Sequence, residues 1–95
     1  MIEMRSQLLA ARAAALFASD LPTGTRPAQS AINAVIASSV HACGGTRGCV
    51  AMMAAAYGDY PGTAAPRMRW ALSLASMALA PGAARPEPDR ELIAA

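Results

Sequence analysis

The sequence predicts an all-α domain, a small bundle of about four helices. Three observations lead there. Ala, Leu, Met and Arg favour helix and dominate the chain, whereas Val and Ile together number only seven among 95 residues. Larger apolar residues recur at helical spacing in separate stretches. Between those stretches stand short clusters of Gly, Pro, Ser, Thr and Asp, which form turns.

Size and composition bound the fold further. Ninety-five residues is one domain's worth of chain. Hydrophobic residues make up 55%, but 25 of them are Ala, which leaves 27 larger apolar residues counting Tyr, Trp and Cys. Ala buries little surface, so the core is expected to be thin and its helices closely spaced. Domains this small are marginally stable, and pairing with another chain is a common remedy.

The first helix is expected over residues 2–19, where Ile2, Leu9, Ala13, Leu16 and Phe17 recur at helical spacing. Ser19-Asp20-Leu21-Pro22-Thr23-Gly24-Thr25 breaks it. This segment, residues 1–24, reads as an N-terminal helix or arm that packs on the remainder. The second helix is expected from Pro27 to Cys43, with Ile32, Val35, Ile36, Val40 and Cys43 in one stripe and Gly44-Gly45 as its stop. Thr46 is an N-cap type for a third helix from about Arg47 to Tyr57, with Val50, Met53, Ala54 and Tyr57 on one face. Gly58 is placed to stop it. A turn over 57–63 leads to the fourth helix, which starts near Thr63, holds Pro66 in its first turn and stops at Pro81-Gly82. Residues 25–80 would then make a tri-helical domain and 81–95 a flexible tail, with a helical scrap at Glu91–Ala95.

All eight basic residues are Arg, and the net charge is +2. Residues 1–80 carry six Arg against Glu3, Asp20 and Asp59, while the last fifteen carry two Arg against three acids. That balance permits a nucleic-acid partner without requiring one. Two Cys make no disulfide framework, so a reduced, cytoplasmic protein is expected. No apolar run reaches the roughly 18 residues of a membrane span, and no membrane partner is expected. Glu3 and Arg12 interrupt what would otherwise pass for a signal peptide.

Within 46–80, Ala54-Ala55 stand in the first helix, Gly58 follows it, and Thr63-Ala64-Ala65 open the second. This pattern resembles the helix-turn-helix unit of DNA-binding domains, with residues 27–43 as a preceding support helix. The resemblance covers residues 27–80. It implies a small DNA-binding protein, a transcriptional regulator acting as a dimer on duplex DNA. Arg67 and Arg69 would then reach base edges or phosphates from the recognition helix, Thr63 would lie at its start, and Arg47 would touch backbone. The chain departs from that pattern at Pro66, which offers a base no polar group, and at Asp59, which phosphates repel.

The last helix supplies a second reading. At about 100° per residue from Arg67, the residues Met68, Leu72, Ala75 and Leu79 centre near about 110°. Trp70, Leu74 and Met77 lie at about 280–340°. A helix apolar on two faces needs two covers. The Trp70–Leu74–Met77 strip, rimmed by Arg, fits a hot spot for a protein partner or a second copy; Leu9, Leu16 and Phe17 of the first helix are the other candidate cover.

No enzyme is expected. There is one His, and the acids preceding the tail are scattered. His41, Cys43 and Cys49 lack a fourth ligand and the spacing of a zinc site, so no metal and no cofactor is expected. Cys43 and Cys49 flank the Gly44–Gly48 loop and are expected as buried small thiols, with a redox-sensitive clasp between them as the alternative. That loop precedes a helix, as anion sites do, but lacks the Gly-Lys-Ser/Thr of a phosphate-binding loop.

Overall fold

Four helices, α1 (Ile2–Phe17), α2 (Gln29–Cys43), α3 (Thr46–Asp59) and α4 (Pro61–Leu79), form the structure. It is a computed structural model that describes residues 2–79, with side chains from residue 6 to residue 78. The expected all-α bundle of four helices is what is found. The expected stop at Pro81-Gly82, the tail at 81–95, and the Ile2 and Leu79 side chains lie outside the described residues.

The centre of the bundle is α1. Ala13, Ala14, Ala15, Leu16 and Phe17 are all buried. Five consecutive buried residues cover more than a full turn, so the end of this helix is enclosed on every side. It packs against each of the other three helices, most extensively against α4. Ile32 and Ile36 of α2, Cys49 of α3, and Ala64, Ala71, Leu74, Ala75 and Ala78 of α4 join it in a single buried cluster. The segment expected as an N-terminal helix or arm, residues 1–24, thus packs through α1 on all three helices of residues 25–80.

Alanine explains how α1 is enclosed. Seven of the thirteen buried apolar residues are Ala, whose small side chains let helices pack closely, with Leu16, Ile32 and Leu74 fully buried among them. On α4 the buried line runs through Ala64, Ala71, Ala75 and Ala78 with Leu74. That line falls between the two apolar faces expected from the larger residues. The supposed opposite faces are the two flanks of one broad face, whose middle is made of alanine.

Helix ends are set by local chemistry. Gly44 takes φ 78° and closes α2, its N–H bonding to the His41 carbonyl, while the Gly45 N–H bonds to Val40 at 2.8 Å. This paired closure is what Gly in the left-handed conformation permits. Gly45, at φ 123°, is the N-cap of α3, and Thr46 is already helical. The expected turn over 57–63 shrinks to Tyr60 alone: Gly58 and Asp59 continue α3, and Pro61 opens α4. The Tyr60 carbonyl accepts from the N–H of Thr63 and of Ala64. Proline suits the first helical position because its missing N–H would have had no partner there. Pro61 fills this role in place of Pro66, which lies inside the helix.

Candidate functional site

The residues expected to touch a partner do not converge. Arg67, assigned to DNA, turns inward. Its Nε donates to the Phe17 carbonyl at 2.8 Å, Nη2 to the Ser19 carbonyl at 3.0 Å and to Leu16 at 3.4 Å, and Nη1 to Thr23 Oγ1 at 2.8 Å. Its guanidinium carbon also lies 5.6 Å from the Phe17 ring centre and 4.8 Å from that of Trp70. Burial pushes its pKa below the ordinary arginine value, yet a guanidinium stays cationic in a protein. Arg67 is thus engaged at the C-terminus of α1. Arg69 and Arg47 are exposed, on α4 and in the first turn of α3. Thr63 is exposed, with its hydroxyl donating to the Tyr60 carbonyl at 3.2 Å.

The Trp70–Leu74–Met77 strip divides in the same way. Leu74 is 1% exposed and belongs to the core, which corrects its assignment to a partner surface. Trp70 is half-buried, with Nε1 donating to the Thr25 carbonyl at 2.8 Å and Arg67 over its ring. The segment between α1 and α2, together with Arg67, thus supplies its cover. Met77 remains 43% exposed, with Arg26 Nη1 3.9 Å from its sulfur.

α3 carries what the sequence did not mark as a surface. The stripe expected on one face of this helix is Val50, Met53, Ala54 and Tyr57. The structure rotates it outward: Cys49 is fully buried, Met53 and Ala56 are half-buried, and Val50 and Tyr57 keep 41% and 40% exposure. Tyr57 rests one side against Phe17, with ring centres 6.3 Å apart, and Ala54 is open to solvent. Cys49 rather than Val50 fills the core because Gly48 presses against α2: a Cβ there would lie 2.0 Å from the Cys43 carbonyl oxygen. That contact fixes which side of α3 meets the bundle.

The same contact gathers sulfur. The Cys43 thiol donates to the Met52 thioether at 3.6 Å, and the Cys49 thiol lies 3.6 Å from the Ser39 carbonyl. Burial raises the Cys49 pKa above its ordinary value; the hydrogen bond and charge of Cys43 add to this, and the Ser39 hydroxyl opposes it. Among the described residues no group of three or more His, Cys, Asp or Glu is placed to hold a metal ion.

A groove of about 360 Å³ opens between the end of α1 and α2, lined by small and polar side chains that include Ser19, Asp20, Val35, Ser38 and Ala42. Its floor residue Ser39 is buried, with its hydroxyl donating to the Ala15 carbonyl at 2.6 Å. No helix among the described residues is long and apolar enough to cross a membrane. Compared with protein-family models, curated proteins and solved structures, the chain matches none of them.

Proposed function

We propose that this chain is a non-enzymatic helical interaction module that pairs with a second copy of itself through the outer face of α3. The observation that carries the reading is the offset on that helix, whose apolar stripe leaves Val50, Ala54 and Tyr57 open while Cys49 takes the core position. Beside the stripe, Ala51, Ala55 and Gly58 are exposed and add almost no bulk. Two copies of such a face approach closely across a two-fold axis, where each residue meets the same surface of its partner. A second copy is the favoured occupant because a domain this small, with an alanine-filled core, gains stability by covering its remaining apolar surface.

Duplex DNA is the less favoured partner. A helix-turn-helix joins its helices through three or four residues, whereas α3 and α4 are separated by Tyr60 alone. Of the assigned contacts, Arg67 is engaged within the fold, which leaves Arg47, Thr63 and Arg69.

The test is the mass of the protein in solution, alone and with a short random duplex. A dimer whose mass does not change with DNA is expected, and Ala54→Arg should yield a helical monomer. A monomer that takes up duplex DNA in a salt-dependent manner sinks the reading and restores the nucleic-acid one.

A further inference from the structure

Resting on the pairing of two α3 helices, we propose that the pair is antiparallel and that Arg47 of each copy forms an ion pair with the partner's Asp59. Arg47 and Asp59 are the only charged residues of α3, and both are exposed. They stand in its first and last turns, with no acid in the first turn and no base in the last.

That order is the reverse of what a helix favours by itself. Its first turn presents unpaired N–H groups and a partial positive charge, and its last turn presents unpaired carbonyls and a partial negative charge. A cation at the start and an anion at the end are each opposed by the helix that carries them. An antiparallel partner turns this around. It sets the start of each helix beside the end of the other, so Arg47 meets the partner's Asp59 together with the negative end of the partner's helix. A parallel pair would instead set Arg47 against the partner's Arg47 and Asp59 against the partner's Asp59, and like charges across a seam are costly.

The register follows from the positions. Arg47 and Asp59 stand equally far from Met53, about 9 Å along the axis. A two-fold axis level with Met53 puts them at the same height across the seam. The same axis sets Ala51 against the partner's Ala55, both exposed, so the helices approach where only methyl groups intervene. Arg47 and Asp59 lie about 120° apart around the helix, so the long guanidinium arm, rather than the short carboxylate, crosses to the partner. The apolar surface of Val50, Ala54 and Tyr57 has no polarity of its own. The two symmetric ion pairs give the pairing its direction and select the partner.

The experiment is sedimentation equilibrium of the parent chain, of Arg47→Asp, of Asp59→Arg, of these two variants mixed in equal amounts, and of the chain carrying both substitutions. The parent is expected as a dimer. Each single variant sets like charges across the seam twice and should dimerise at least about tenfold more weakly. The mixture should pair as a heterodimer and the double variant as a homodimer, because both arrangements restore opposite charges. Each substitution places at a helix end the charge that end favours, so a weaker dimer is not a weaker helix, which circular dichroism checks. A dimer that Ala54→Arg breaks but neither single variant weakens overturns the ion pairs and leaves the α3 pairing standing. So does a mixture or a double variant that fails to recover the dimer. A monomeric parent overturns the pairing itself and the ion pairs with it.

Discussion

The guanidinium carbon of Arg67 lies 4.8 Å from the centre of the Trp70 ring, while its Nε donates to the Phe17 carbonyl at 2.8 Å. One side chain thus binds the interior of α4 to the end of α1. The last four carbonyls of a helix have no partner within it, and at a buried end water cannot supply one. No glycine closes α1. The Ser19 N–H and hydroxyl both bond to Leu16, Arg67 takes Leu16, Phe17 and Ser19, and Ser39 takes Ala15. The central helix is capped by its neighbours.

Arg67→Ala removes several charge-assisted hydrogen bonds at once and takes the guanidinium from the part-buried Phe17 and Ser19 carbonyls. A loss of about 2–4 kcal/mol in urea denaturation is expected. Arg67→Lys should regain less than half of it, because a single ammonium cannot reproduce the planar fork that reaches Phe17, Ser19 and Thr23 together. An unfolding midpoint for Arg67→Ala equal to that of the parent would show that these bonds contribute nothing net.

Ser39→Ala tests the other borrowed cap. The hydroxyl is buried and donates to the Ala15 carbonyl at 2.6 Å, so its loss strands an acceptor inside the bundle. The expected cost is about 1–3 kcal/mol. The change removes one small atom beneath the groove and alters no helix-forming residue for the worse, so helical circular dichroism at low temperature should stay the same while the thermal midpoint falls.

The helices were legible in the sequence wherever a local signal decides them. Gly44-Gly45 closes α2 as its composition implies, and the stripe of Ile32 and Ile36 faces the core. Thr63 is an N-cap type, but α4 starts earlier, because Pro61 fits the first helical position better and the Tyr60 carbonyl accepts the first helical N–H bonds. Facing depends on something a local signal does not carry. A wheel weighted by large residues passes over alanine, and on α4 the alanines are the contact line. Arg67 was beyond reach altogether, since its acceptors lie 44 to 51 residues away. Which face of α3 turns inward rests on Gly48 meeting the Cys43 backbone, a contact between two helices that no single-helix pattern contains.

Three substitutions along α4 separate core from cover. Leu74→Ala should cost about 2–5 kcal/mol, as for other buried leucines. Trp70→Phe keeps the ring under Arg67 but loses the bond to Thr25, at about 0.5–1.5 kcal/mol. Met77→Ala, at an exposed flank, should cost about 1 kcal/mol or less. Chemical denaturation ranks them. If Leu74→Ala matches Met77→Ala, then Leu74 does not fill the core.

Two glycines of α3 should respond in opposite directions to the same change. In a helix, Gly→Ala ordinarily stabilises by about 1 kcal/mol, because alanine loses less backbone entropy on folding. Gly58 is helical, and a Cβ there would meet nothing of its own chain within 4 Å, so on the monomeric Ala54→Arg background Gly58→Ala should gain about that amount. Gly48 is helical too, but its added Cβ would lie 2.0 Å from the Cys43 carbonyl oxygen and 2.9 Å from the carbonyl carbon. Both are backbone atoms of a closed helix end and cannot swing aside as a side chain would. Gly48→Ala must push α3 away from α2, and a loss of about 1–3 kcal/mol, typical of overpacking, is expected despite the better helix former. Thermal midpoints of the two variants on that background should therefore bracket its own. A Gly48→Ala chain as stable as Gly58→Ala would mean that α3 does not approach Cys43 this closely.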